Sequence, residues 1–207
     1  MNRPRGGRRL GRDFFGQPVL DAAPLLLNKV LVAADGRSGR IVEVEAYHGE
    51  QDPASHAYRG RTPRNATMFL PGGHLYVYLS YGIHSCANLV FGPEGDAQAV
   101  LLRALEPLGG AELMRAARWR QQHRQDDRDL CRGPGRLCEA MGIGRSLDGM
   151  DLTDRGASLW VTDDGIDPPN DASRTARVGI SAGQDRLWRF SVPGHAAVSR
   201  SAGTARG

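Results

Sequence analysis

Between His74 and Phe91 the chain specifies one local structure closely. Leu75, Val77 and Leu79 alternate with Tyr76, Tyr78 and Ser80, the period-two pattern of a strand with one buried face. Tyr81-Gly82 interrupts the alternation, and Ile83 to Phe91 can run back as a second strand. The stretch therefore predicts a β-hairpin with a tyrosine at or beside its tip. A large aromatic side chain presented to solvent calls for a functional reason.

At 207 residues, with 40% hydrophobic and 24% charged content, the chain has the composition of one globular domain. No apolar run approaches the roughly 18 to 20 residues needed to cross a bilayer, and the basic N-terminus lacks the apolar segment of a secretory signal. A cytoplasmic protein, associated with the nucleoid if it binds DNA, is the expectation. Cys86, Cys131 and Cys138 form no Cys-x-x-Cys pair, so neither a disulfide framework nor a zinc site is predicted. The formal charge of +4 favours a polyanionic partner. Lys29 is the sole lysine among 27 Lys and Arg residues; arginine suits phosphate, although GC-rich codon usage would produce the same bias.

Residues 1–12 carry five arginines among glycines and a proline without apolar periodicity, and read as a disordered basic arm. A short helical stretch is predicted over 22–29, then a strand over 30–34, a turn through Asp35-Gly-Arg-Ser-Gly39, and a returning strand from Arg40 to Tyr47. Strict alternation places Val42, Val44 and Ala46 on one face of that strand and Ile41, Glu43, Glu45 and Tyr47 on the other, a wet one. The pattern does not choose between the glutamates. Residues 48–75 read as a long loop, the kind that often carries function. A strand that carries Arg103 after a continuous apolar run is predicted over 99–104, helices over 111–122 and from Gly133 to Gly142 or Gly144, and a mixed-charge loop over 121–129 between them. Strands are predicted over 159–162, 177–180 and 187–192, and a disordered tail from 199 to 207.

Familiar catalytic patterns are missing: no P-loop, no Gly-x-Ser-x-Gly, no zinc-deaminase pattern, and no histidine spacing that makes a metal site. What the chain offers is carboxylate chemistry with aromatic and arginine support. A glutamate can activate water, an arginine can fix it, and tyrosines and a histidine can sandwich a planar substrate. A phosphate-binding module with an aromatic stacking surface would use the same residue types.

The run Arg40-Ile-Val-Glu-Val-Glu-Ala-Tyr47, the segment Arg61-Thr-Pro-Arg-Asn65 with Met68-Phe69, Leu75-Tyr-Val-Tyr78 with Tyr81-Gly82, Asn88, and Val100-Leu-Leu-Arg-Ala-Leu-Glu-Pro107 together resemble the alkyladenine (3-methyladenine, hypoxanthine) DNA glycosylase family. Gly133-Pro-Gly-Arg-Leu-Cys138 and Arg177-Val-Gly-Ile180 resemble its later motifs, in the same order. The resemblance implies a single α+β domain over residues 13–198, with a curved antiparallel β-sheet, flanking helices and a protruding β-hairpin. It implies that Glu45 is the general base and that Arg103 positions the water. Tyr47, His56, Tyr78 and Asn88 would line the base pocket, with Asn88 excluding the exocyclic amino group of guanine. Tyr81 would be the intercalating wedge, and Arg61, Arg64 and Arg136 would approach DNA.

The implied activity is hydrolysis of the N-glycosidic bond of alkylated or deaminated purines flipped from duplex DNA. No cofactor and no metal are expected, and the enzyme would act as a monomer. A base inside a duplex is unreachable and must be extruded at a cost of a few kcal/mol, which a wedge offsets. A cationic alkylated purine stacks well on tyrosine. Glycosylases that also nick the backbone need an amine nucleophile, and only Lys29 and the N-terminal amine exist, neither near the motifs in sequence, so a monofunctional enzyme is predicted. The alternative is a damaged-DNA or nucleic-acid binding protein without catalysis.

Overall fold

The computed structural model describes residues 7–118 and 126–199. Its strands are β1 (Arg8–Arg9), β2 (Val30–Ala33), β3 (Ser38–His48), β4 (Leu75–Ser80), β5 (His84–Phe91), β6 (Gln98–Gly109), β7 (Leu159–Asp163), β8 (Ser173–Thr175) and β9 (Arg189–Ser191). They form one antiparallel sheet in the order β1-β7-β2-β3-β6-β5-β4, with β9 added to β3 and β8 to β9. The sheet curls into a half-barrel within a single α+β domain. Its helices are α1 (Arg12–Phe15), α2 (Val19–Leu25), α3 (Ala111–Ala117), α4 (Asp127–Leu130) and α5 (Pro134–Met141).

One face of the sheet holds the main core. Val19, Ala22, Ala23, Leu26 and Leu27 from the α2 region and Leu137, Cys138, Ala140 and Met141 from α5 pack on Val44, Ala46, Val77, Ala87, Leu89, Val100 and Leu102. All three cysteines are buried free thiols. The helix α5 ends where Gly142 turns left-handed, φ +67, and donates back to the Glu139 carbonyl, the stop that a glycine makes inexpensive. No helix of the described residues is long and apolar enough to cross a membrane.

The predicted hairpin is formed by β4 and β5, with Tyr76 opposite Asn88 and Ser80 opposite His84. Leu75 and Val77 face the main core, whereas Tyr76 packs on the other side with Ala57, Met68, Phe69, Val90 and Ala99. This second face was expected to be wet. Instead the 48–75 loop folds over it, through the short 3-10 turns Gly49–Gln51 and Ala66–Phe69, and Tyr76 is only 1% exposed.

The predicted alternation in β3 also needs correction. Ile41 shares the main core with Val44 and Ala46, and Val42 instead packs with Ala104 and Ala197. The cause is an irregular register against β6: Ile41 pairs with Leu105, Glu43 with Ala104 and Val44 with Leu102, leaving Val42 and Arg103 as the extra residues of two facing bulges. A bulge puts consecutive residues on one side. Val42 and Glu43 therefore face the same way, as do Arg103 and Ala104.

Other expectations change where long-range contacts override local pattern. Arg8 and Arg9 pair with β7, Arg9 donates to the Leu152 carbonyl, and Arg12 begins a helix and pairs with Asp151. Arg8 and Arg9 are thus part of the sheet edge and Arg12 of the helix that follows, while residues 1–6 lie outside the described residues. Residues 126–129, placed in a loop from sequence, supply the cap Asp126 and most of helix α4, Asp127–Leu130; 119–125, including the end predicted for the preceding helix, lie outside the described residues. The segment 177–180 is not a strand, because its backbone is turned toward the β3 side chains. Ser199 is bound to Glu43, and 200–207 lie outside the described residues.

Candidate active site

The bulged face of β3 and β6 forms the floor of a cleft of about 450 Å³. Its lining includes Tyr47, His56, Arg64, Tyr76, Tyr78, Tyr81, Asn88, Arg103 and Val178. Glu45 lies just beneath that floor and is fully buried; the three groups nearest its carboxylate, from Tyr47, Arg103 and Val178, all line the cleft. Glu43, two residues earlier on the same face, is also fully buried.

The two glutamates differ in how their oxygens are used. Glu43 accepts from Arg103 Nε and Arg189 Nε, both at 2.7 Å, from the Ser199 hydroxyl at 2.8 Å and from the Ser199 amide at 2.6 Å. Three of these bonds fall on Oε1 and one on Oε2, so Glu43 takes four protein donors, about the number a carboxylate accepts, none of them from the cleft wall except Arg103. Glu45 accepts from the Val178 amide at 2.7 Å on Oε1 and the Tyr47 hydroxyl at 2.9 Å on Oε2, with Arg103 Nη1 3.2 Å from Oε1. Glu45 thus takes fewer protein donors than Glu43, and each of them comes from a residue that lines the cleft. The alternation in the sequence could not separate these residues; the hydrogen-bond inventory does.

Arg103 links them. Burial opposes its charge, but Glu45 and Glu43 overcome that cost and hold the guanidinium above its usual range. Burial would likewise raise the Glu43 carboxyl; the Arg103 charge, the Ser199 amide and the Arg189 bond outweigh it, so Glu43 is held below the ordinary carboxylate range.

Aromatic rings build the walls. His56 meets Tyr78 edge-on at 4.4 Å between ring centres, and Tyr76 and Tyr78 stack at 5.7 Å. His56 Nδ1 is 3.0 Å from the Tyr76 hydroxyl. Burial and then the Arg64 charge push the imidazole below its usual range, which keeps it neutral near pH 7. Burial raises the Tyr76 phenol to about 12; burial, then Glu45, moves Tyr47 up as well. The loop bearing His56 is tied down by Asn65, which donates to the His56 and Gly60 carbonyls and accepts from the Thr62 amide. Asn88 donates to the Tyr76 carbonyl across the hairpin at 3.1 Å and is 5% exposed, so its amide is fixed at the cleft wall.

Tyr81 stands at the hairpin tip, 93% exposed, followed by Ile83 at 73%. Ile83 N donates to the Ser80 carbonyl, and Tyr81 and Gly82 both have left-handed backbones, φ +51 and +72. This is the geometry of a tight type I′ turn. Arg64 lines the cleft; Arg136 lines a second cavity of about 510 Å³ with Arg103, Arg132 and Ser199. Arg61 is exposed and lies outside the cleft lining.

Several site residues were not singled out from sequence. Arg177 is wholly buried against Asp52, donating to both carboxylate oxygens and to the Ala46 carbonyl. Its guanidinium lies between the rings of Tyr47, at 4.6 Å, and Trp188, at 5.1 Å. This clamp holds the 177–181 segment so that the next residue, Val178, aims its amide at Glu45. Asp52 is 125 positions away in sequence, and only the Arg-Val-Gly motif hinted that Arg177 belonged to the site.

A family model described as methylpurine-DNA glycosylase (MPG) matches residues 13–196. Similar proteins named "Putative 3-methyladenine DNA glycosylase" occur in Burkholderia cenocepacia, 57% identical over 196 residues, 95% of this chain and 93% of the relative. Others with that name occur in Streptomyces avermitilis, 48% identical over 195 residues with 92% and 90% covered, and in Chlorobaculum tepidum, 44% identical over 200 residues with 94% and 92% covered.

Proposed function

The chain belongs to the methylpurine-DNA glycosylase family, and from that membership we propose that it is a monofunctional glycosylase that flips alkylated or deaminated purines from duplex DNA and hydrolyses their N-glycosidic bond with a Glu45-activated water. The observation that carries the reading is the contrast between the carboxylates: Glu43 takes four hydrogen bonds, from Arg103, Arg189 and Ser199, whereas Glu45 takes two, from Tyr47 and Val178, which both line the aromatic cleft above it. A flipped purine stacks on Tyr47, His56 and Tyr78, with its C1′ carbon over the floor. As the glycosidic bond breaks, its electron pair leaves with the base. Water held between Glu45 and Arg103 Nη1 adds to C1′ and gives its proton to Glu45.

Tyr81 enters the space vacated by the nucleotide, and Asn88 meets the position of the guanine amino group, which hypoxanthine and adenine-derived lesions lack. Arg64, Arg136 and Arg61 supply phosphate contacts, which add affinity without sequence information. The product is an abasic site. Strand nicking would need an amine, and Lys29 is 6% exposed and paired with Asp163 at 2.9 Å, away from the cleft.

The test is a duplex carrying a single hypoxanthine or 3-methyladenine, incubated with excess protein and then treated with alkali. Cleavage only after alkali is the expected result. Retained binding without alkali-labile sites would replace this reading with the non-catalytic binder.

A further inference from the structure

We propose that Ser199 is a positioning residue for Arg103, so that the C-terminal segment completes the active site rather than trailing from it. The inference rests on the proposed role of Arg103 at the water. Each nitrogen of the Arg103 guanidinium has an assigned contact. Nε donates to Glu43 Oε1 at 2.7 Å, Nη2 donates to the Ser199 hydroxyl at 3.1 Å, and Nη1 faces Glu45 at 3.2 Å. The Nε and Nη2 edge is therefore gripped by Glu43 and Ser199 together, and the remaining nitrogen is aimed by that grip. A guanidinium is planar and rigid, so fixing one edge fixes where the other points.

Ser199 is itself held from four directions. Its amide donates to Glu43 Oε2 at 2.6 Å and its hydroxyl to Glu43 Oε1 at 2.8 Å. Its carbonyl accepts from Arg189 Nη2 at 3.0 Å, and the preceding Val198 carbonyl accepts from Arg132 Nε at 2.9 Å. The Val198 amide donates to His195 O, and Ala197 is buried against Val42 and Ala104 at the bulge. The hydroxyl is thus both acceptor and donor in a chain from Arg103 to Glu43, on the side of the arginine away from the cleft. It touches neither the substrate volume nor Glu45. Its effect on chemistry runs through Arg103.

Ser199→Ala removes the hydroxyl and keeps the backbone bonds that dock the segment. Misaiming a group that positions a reactant is costly, so the single-turnover excision rate of hypoxanthine should fall about tenfold while lesion-DNA affinity and the thermal midpoint stay near wild type. Ser199→Thr, which keeps the hydroxyl, should restore the rate. In an Arg103→Gln background, itself slow, Ser199→Ala should cost nothing further, because the two changes act on one element. An equal rate loss from Ser199→Ala in both backgrounds, or no loss in the wild-type background, overturns the proposal. A fast Arg103→Gln enzyme would instead overturn the assigned role of Arg103, a result distinguishable from failure at Ser199.

Discussion

Replacing Glu45 by Gln removes one negative charge and one basic oxygen while leaving the side-chain shape nearly intact. The Val178 amide can still bond the remaining carbonyl oxygen, and the Tyr47 hydroxyl, a donor to Glu45 at 2.9 Å, can rotate to accept from the new amide. What the variant lacks is a base for the water's proton. General bases contribute about 10²–10⁴ in rate, equivalent to about 2.7–5.4 kcal/mol at 1.36 kcal/mol per tenfold, so single-turnover excision should fall by that factor.

The control is Glu43→Gln, which strips the shared carboxylate from two buried arginines, Arg103 and Arg189. Breaking such a buried pairing costs about 3–5 kcal/mol of stability, so this variant should melt much earlier and lose activity through Arg103. Alkali-developed gels give the rates, fluorescence anisotropy the affinity for a hypoxanthine duplex, and calorimetry the stability. Glu45→Gln should bind within a few fold of wild type, lose less stability than Glu43→Gln because Arg103 and Arg189 keep their shared carboxylate, and scarcely cut. If Glu45→Gln excises at the wild-type rate, or if a fully folded Glu43→Gln is the dead enzyme, the assignment of the base is wrong.

Tyr81→Ser should leave the thermal midpoint unchanged, since the ring touches solvent, yet weaken lesion binding by about 1–3 kcal/mol, the worth of one stacking contact; full extrusion of a fluorescent base analogue by this variant would refute the wedge. Asn88→Ser should raise the ratio of guanine to hypoxanthine excision about tenfold by removing an amide-sized obstacle, at the cost of a buried hydrogen bond to Tyr76 worth about 1 kcal/mol; an unchanged ratio of single-turnover rates would remove Asn88 from specificity. For acid stability, burial raises the Asp52 carboxyl but Arg177 outweighs it and holds it low. A depressed folded-state value stabilises above the unfolded value, near pH 4, and that stability is lost as pH falls through the folded value. Thermal midpoints should therefore drop steeply below about pH 4, and Asp52→Asn, less stable at neutral pH, should show a shallower acid decline.

The hairpin was legible because its alternation and turn are local, and β4 and β5 carry them residue by residue. The motifs drew attention to Tyr47, His56, Tyr78, Tyr81, Asn88 and Arg103, which line one cleft, and to Glu45, which lies buried against Tyr47, Arg103 and Val178. Which glutamate takes more of the protein's own donors was not legible, because that depends on Arg189 and Ser199, 146 and 156 positions from Glu43. Nor could alternation anticipate the facing bulges at Val42 and Arg103, which exchange the faces of Ile41 and Val42. The basic Arg8–Arg9 stretch read as an arm for a similar reason: its partner strand, β7, lies about 150 residues downstream in sequence and supplies the order that local composition lacks.

The left-handed backbone of Tyr81 has a further consequence. An L-residue there costs roughly 1–2 kcal/mol relative to its preferred region, and Gly, Asn or Asp would be the natural occupants of the first position in a type I′ turn. Improving the turn for its own sake would thus blunt the tip, and selection for thermal robustness alone would push this position away from an aromatic. With Tyr81 as the proposed wedge, the hairpin is a place where stability and activity pull a single residue in opposite directions.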